Sequence, residues 1–309
     1  MAVRNALKSF ILPIWFFLYD AFMYLIEMFY WVSDGIYKCF HHPPIVLGIE
    51  DTINYILEHH CSVARYGDGE MKFVIGTETW FQRSNPVLKK RLTEILKAKD
   101  DNLIVCIPGI FGNLDIYADE FKDYWHKYIV RHRRRWYNVI NRDQTYYEAF
   151  VSRCYLPYRD RTQAKHFFDL WKKVWNDRDL LIVEGEKTRL GVGNDLFCNA
   201  RSIKRILGPN IGAFEYYDKL VNAVKQYEKD VLVLIALGPT ATVMAADLSN
   251  LGYQAIDIGH LDIEYEWFLR KVNRKVPVEG KFVNEAGAGV GVGECTDDAY
   301  NQQVVFRSV

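Results

Sequence analysis

The chain has 309 residues, half of them hydrophobic, which supports one large domain or two modest ones and excludes a disordered or fibrous protein. Lysine plus arginine balance aspartate plus glutamate at 39 each, so the broad positive field of a nucleic-acid binder is missing and any phosphate must be held locally. The cysteines at positions 39, 61, 106, 154, 198 and 295 form no CxxC pair and fit neither a zinc site nor a small disulfide framework, which points to reduced thiols in the cytosol.

The first element is the aromatic stretch 9–33, SFILPIWFFLYDAFMYLIEMFYWV followed by Ser33, long enough to cross a bilayer but interrupted by Asp20 and Glu27. On an insertion scale two central carboxylates cost roughly 5 to 7 kcal/mol and the apolar residues return a similar amount, so spanning is marginal. No small-residue cleavage site follows, which argues against a removable signal peptide. Asp20, Glu27 and Asp34 recur every seven residues and form one polar stripe on an apolar helix. That pattern suits an in-plane membrane helix or a helical seam between copies in a homo-oligomer; the first is favoured over an ordinary packed helix. Pro43 and Pro44 end this unit, which divides the chain into an N-terminal element, 1–44, and a catalytic body, 45–309.

Along the body, Asp51 to His60 reads as a helix and Ser62 to Tyr66 as a short strand that delivers Gly67 to Glu70 to a sheet edge. Helices are expected over Leu88 to Lys97, Phe121 to Tyr128 and Gln163 to Trp175, and strands at LIVCIP (103–108), LLIVEG (180–185), VLVLIALG (231–238) and AIDIG (255–259). Apolar, β-branched runs alternating with helical stretches indicate an α/β fold, a Rossmann-like mostly parallel sheet with helices on both faces. Ligands of such sheets sit outside the carboxyl ends of the strands, where GDGE, EGEKTR, GPT and GHLD fall. The tail from Gly280, with GAGVGVG, follows no strand and reads as a flexible flap or linker, not as a dinucleotide fingerprint.

Asp68 and Glu70, one glycine apart after a strand, can point two hard carboxylates to one side, enough for Mg²⁺ or Mn²⁺ when phosphate oxygens complete the shell. The plainer alternative is a hydrophilic Gly-Asp-Gly turn. Arg65 can hold a diphosphate or brace the carboxylates. Lys187, Thr188 and Arg189 follow a strand, with Gly191 and Gly193 next and Asn194 or Asp195 able to cap a helix, a pattern suited to an anionic or ribose-bearing ligand or to an ordinary loop. Arg201, Ser202 and Arg205 are expected within about one turn of each other on a helix, as a phosphate-binding or a solvated face. GPT at 238–240, with Thr240, is a strand-to-helix turn that is either structural or phosphate-binding. In AIDIGHLDIEYEW, His260 is a candidate metal ligand, and Asp262 or Glu264 a candidate general base for an acceptor hydroxyl. The basic run RHRRR at 131–135 is either a solvated face or a contact for anionic lipid or a lipid pyrophosphate.

Taken together, RYGDGE, Phe81-Gln82, EGEKTRLGVGNDLF, ARSIKRIL, ALGPTATVMAADL and AIDIGHLDIEYEW resemble the GT-D fold glycosyltransferases, a family first catalogued as a domain of unknown function in bacterial surface-glycosylation loci. The resemblance spans about 45–309 and implies a UDP-sugar donor, typically UDP-glucose, with a divalent ion at an Asp-x-Glu motif that falls on Asp68 and Glu70. It also places Arg65, Gln82, Lys187, Thr188, Arg189, Asn194, Arg201, Arg205, Thr240 and His260 at matching motif positions. The N-terminal helix lies outside that pattern, so the acceptor is expected to be a glycan on either a protein or a lipid carrier, with the enzyme cytoplasmic and peripheral on the inner membrane face. The rival readings are a metal-dependent phosphohydrolase or nucleotidyltransferase, and a non-catalytic nucleotide-binding scaffold at the membrane.

Overall fold

In a computed structural model of the chain, residues 2–287 and 289–308 are described, with side chains from Trp15 onward. The strands are β1 (Ile45–Val46), β2 (Ser62–Arg65), β3 (Leu103–Ile107), β4 (Thr145–Glu148), β5 (Asp179–Gly185), β6 (Ser202–Gly208), β7 (Leu232–Ala236), β8 (Gln254–Asp257) and β9 (Val304–Arg307). They form one sheet in the order β1-β4-β3-β2-β8-β7-β5-β6-β9, parallel at every pairing.

Period-two alternation explains why the sheet is covered on both sides. Val63, Ile104, Cys106, Leu180, Ile182, Leu232, Leu234 and Ile256 enter one core, with Trp171, Trp175 and Trp267. Their chain neighbours turn to the other face: Ala64, Leu103, Val105 and Ile107 join one cluster there, and Leu181, Val183, Val233, Ile235 and Ala255 join a second. The first face is covered by α2 (Ile49–His59), α6 (Ala164–Val174) and α9 (Leu261–Leu269). The other carries α3 (Asp68–Val74), α4 (Pro86–Ile95), α5 (Asp119–Val139), α7 (Tyr217–Val224) and α8 (Pro239–Asn250). Asn85 caps α4, its side chain accepting from the amides of Val87 and Leu88 with Pro86 in the first helical position.

The expected strands and helices are present, with boundaries shifted by a few residues and α5 running on to Val139. Arg201, Ser202 and Arg205 are a correction: they lie at and within β6, not on a helix. Seven in-register pairings with β5 and the burial of Arg205 through Gly208 override the helical reading of ARSIKRIL. Nor does a helix follow Asn194 and Asp195, where the chain runs through turns. Cys39, Cys61, Cys106, Cys154, Cys198 and Cys295 are all free.

The N-terminal helix α1 spans Ala2–Phe40 and stops before Pro43 and Pro44. Its polar stripe meets α5: Arg131 donates to Glu27 at 2.8 Å, Arg134 to Ser33 at 2.8 Å, and Arg133 to Asp34 at 2.7 Å, the last pair buried. At Glu27 and Asp34 the stripe is thus a seam within the chain, and three arginines of the RHRRR run serve it. Among the described residues, no helix is long and apolar enough to cross a membrane.

Candidate active site

A cavity of about 700 Å³ opens at the carboxyl ends of the central strands, lined from β2, β8, β7 and β5 by Arg65 to Glu70, by Asp257, Gly259 and His260, by Ala236 to Gly238, and by Gly185. Asp68 is the first residue of α3, and Glu70 the third. Glu70 folds back so that its Oε2 accepts from the Gly67 amide at 2.7 Å, a capping interaction that fixes the side chain at the helix start. The Tyr124 hydroxyl, from α5, donates to Asp68 Oδ2 at 2.6 Å. Asp68 Oδ1 and Glu70 Oε1 have no protein partner among the described residues. Burial, then the nearby Asp257 charge, push the Glu70 carboxyl up to about 7, the behaviour of a site where negative charge lacks a compensating cation.

Behind the pair, Arg65 donates from Nε to the Asp257 carbonyl at 2.7 Å, from Nη2 to its carboxylate at 2.8 Å, and from Nη1 to the Ala149 carbonyl at 3.1 Å. Each of its three nitrogens is engaged, so Arg65 braces the strand ends, while one N–H on each terminal nitrogen stays uncommitted among the described residues at the cavity wall. Gly259, at φ +43°, is required here: a Cβ would meet the Arg65 guanidinium at 1.9 Å.

His260 lines the same cavity with both ring nitrogens engaged. Arg153 donates to Nδ1 at 3.1 Å, which leaves Nε2 as the protonated nitrogen facing Asn284 Oδ1 at 2.8 Å. Burial, then Arg153, push its pKa down to about 4, so the ring is neutral. To ligate a metal it would have to release Arg153 or Asn284. Among the described residues no group of three His, Cys, Asp or Glu side chains gathers around a common point, so the expected trio of Asp68, Glu70 and His260 is not assembled. Arg153 also pairs with Glu285, which Lys275 contacts at 2.7 Å. Asn284, Glu285 and Phe282 bring the segment before the glycine-rich stretch over the cavity, and Phe282 approaches Trp80 with ring centroids 6.3 Å apart.

Other expected residues divide sharply. Gln82 and Thr188 line the cavity. Gln82 is buried, its side-chain carbonyl accepting from the Phe214 amide at 3.2 Å. Lys187 is half-buried, and its backbone is held by Asn210 and Phe282. Arg189 points away from the cavity, donating to the carbonyls of Gly280 and Gly293 and so fastening the glycine-rich tail. Thr240 is fully buried in the first turn of α8, its hydroxyl unpaired.

Asp262 is a correction: it is 0% exposed, and its oxygens accept from the Gly191 amide, Asn194 and Lys281 at 2.7–2.8 Å. It cannot reach an acceptor, and Asn194 is committed to it. Glu264 is equally buried, accepting from the amides of Tyr155 and Leu156. Arg205, 3% exposed, donates to Glu184 at 2.6 Å. Arg201 lies at the opposite, amino end of the sheet, paired with Asp177 and Asp179. Sequence reading missed Trp80, Tyr124, Arg153, Asn284 and Glu285. The strand preceding Arg153 was its one available signal, since the others come from helix, loop and tail.

The glycosyltransferase GT-D fold family matches residues 63–286. The chain is 38% identical over 261 residues to "Probable glycosyl transferase Gly" of Streptococcus gordonii, covering 84% of this chain and 38% of that protein. It is 37% identical over 263 residues to "Glycosyltransferase GlyD" of Streptococcus pneumoniae, covering 85% of this chain and 32% of that protein. It therefore spans about a third of the length of these relatives. Among solved structures, "A New Glycosyltransferase (DUF1792) from Streptococcus sanguinis" superposes with a TM-score of 0.82 at 38% identity, covering 85% of this chain and 99% of that one. The structure described as "The highly conserved domain of unknown function 1792 has a distinct glycosyltransferase fold" gives 0.83 at 38% identity, over 85% and 95%. The matched region contains the whole carboxylate cavity, and the chain belongs to the GT-D fold glycosyltransferase family.

Proposed function

We propose that this chain transfers a hexose, glucose in the first instance, from a UDP-sugar to a glycan acceptor, with Mn²⁺ or Mg²⁺ bound at Asp68 and Glu70. The observation that carries the reading is the pair of carboxylate oxygens, one on each residue, left without a protein partner at the rim of a 700 Å³ cavity at the sheet's carboxyl edge. The residues fit a hard divalent ion: two oxygen donors suffice when diphosphate and water complete the shell. Such an ion, when bound, neutralises the departing nucleoside diphosphate.

The chain's own residues supply the rest. Tyr124 holds Asp68 in place, and the Gly67 amide holds Glu70. Arg153 and Lys275 contribute positive charge to the cavity, beside a neutral His260. Trp80, Phe81 and Phe282 offer flat apolar surfaces for a base or a sugar ring. In the reaction the bond from the sugar anomeric carbon to the diphosphate oxygen breaks, its electron pair leaving with UDP, and the acceptor hydroxyl oxygen bonds to that carbon as its proton passes to solvent. The acceptor in this reading is a bacterial glycan on a protein or lipid carrier and the setting is cytoplasmic; the Streptococcus relatives and the free thiols support it.

Product analysis tests the reading. Incubation with UDP-glucose and Mn²⁺ should release UDP, more slowly with chelator, and should lengthen a glycan acceptor. Release of UMP or inorganic phosphate instead would identify a nucleotidyltransferase or phosphohydrolase, and nucleotide binding indifferent to metal, without turnover, would identify a scaffold.

A further inference from the structure

On α1 the seven-residue recurrence has a second consequence. At 100° per residue, the face opposite Asp20, Glu27 and Asp34 is Leu18, Phe22, Leu25, Phe29, Val32 and Ile36. These six are 56–68% exposed, an unbroken apolar stripe pointing away from α5. Tyr24 borders it on one side, Trp15 and Tyr19 on the other, all exposed. Aliphatic and phenyl groups at the centre with Trp and Tyr at the edges is the arrangement of a helix lying in a membrane interface, where the amphipathic rings sit at headgroup level. A two-helix seam would need only the narrow central stripe and would leave the bordering aromatics in water. Charge agrees with lipid: Glu27 and Asp34 are already matched by Arg131 and Arg133, and Lys127, Arg134 and Arg135 of α5 remain exposed alongside.

We propose that α1 seats its Leu18–Ile36 stripe in the surface of an anionic bilayer, with Lys127, Arg134 and Arg135 of α5 meeting lipid phosphates. The docking helix is linked to the cavity through α5. Trp31 packs edge-on against His126, ring centroids 4.9 Å apart, one residue beyond cavity-lining Trp125, while Tyr124 holds Asp68. Granting the transferase reading above, a chain held at the bilayer through α1 favours an acceptor carried on lipid.

The test is sedimentation of the full chain with vesicles of phosphatidylcholine alone or of equal parts phosphatidylcholine and phosphatidylglycerol. Wild type should pellet with the mixed vesicles. The double variant Phe22→Asp, Phe29→Asp, at two exposed positions, should lower the bound fraction about tenfold or more. Lys127→Gln with Arg135→Gln, which leaves the Arg134–Ser33 contact in place, should lower it several-fold on the anionic vesicles. UDP release from UDP-glucose without vesicles should survive Phe22→Asp, Phe29→Asp, so a failure of docking and a failure of the transferase reading are told apart. Wild type left in the supernatant with both vesicle types overturns the proposal; a dimer in solution that Phe22→Asp, Phe29→Asp dissociates would assign the stripe to a second copy instead.

Discussion

Asp68 and Glu70 open α3 after β2, while Asp262, Glu264 and Glu266 occupy α9 after β8, the strand hydrogen-bonded to β2. In sequence the two clusters look alike, acidic residues spaced by one just past a strand. In the fold they differ in partners. The α9 carboxylates point inward, where Lys281 reaches both Asp262 and Glu266, Asn194 bridges the same two, and two backbone amides hold one oxygen of Glu264, whose other oxygen is buried without a partner. The α3 carboxylates face the cavity, and each keeps an oxygen without a protein partner. A carboxylate buried away from the cavity is part of the scaffold, and Glu264 carries its spare oxygen there as strain; a carboxylate with a spare oxygen at the cavity is available for a ligand.

The largest effect that would sharpen this contrast is on stability. Asp262→Ala leaves Lys281 as a buried charge with a weakened partner set and should destabilise the fold by about 3–5 kcal/mol in urea unfolding, with part recovered by adding Lys281→Met. A variant of wild-type stability that has lost turnover would move Asp262 back into the chemistry.

Glu264 gives the next effect. Burial pushes its carboxyl up to about 7 from an ordinary 4.5, so its stabilising contribution is fully present below about pH 4.5 and is lost as pH rises through about 7. Glu264→Gln, neutral throughout, should therefore exceed wild type in stability at pH 8 by on the order of 1 kcal/mol and match it near pH 4.5. Equal denaturation midpoints at both pH values would show that this carboxylate is not strained by its burial.

A smaller change is expected at the support of the cavity pair. Tyr124→Phe removes the hydroxyl that orients Asp68 and should raise the Mn²⁺ concentration for half-maximal turnover about tenfold. An unchanged requirement would mean that Asp68 is held by other means. Smallest is Arg201→Ala, at the far end of the sheet, which should leave melting temperature and turnover at wild-type values.

Much of this was legible beforehand. LIVCI, LLIVEG and LVLIA read as strands because bounded, β-branched apolar runs suit a sheet buried on both faces. The RYGDGE motif brings its carboxylates to the candidate cavity because its geometry is local: strand, glycine, helix start. Asp262 and Arg205 were not legible, since their roles depend on Lys281 and Glu184, which lie 19 and 21 residues away along the chain. Arg201 failed for a different reason: helical spacing in ARSIKRIL lost to pairing with β5. Trp80, Tyr124 and Glu285 reach the cavity from three separate segments, and no short motif joins them.

The most direct test compares UDP release from UDP-glucose across a Mn²⁺ titration for wild type and Asp68→Asn, with melting temperatures recorded alongside. The account predicts that Asp68→Asn melts as wild type does and loses metal-supported turnover by about a hundredfold or more. Full metal-dependent turnover in that variant would contradict it.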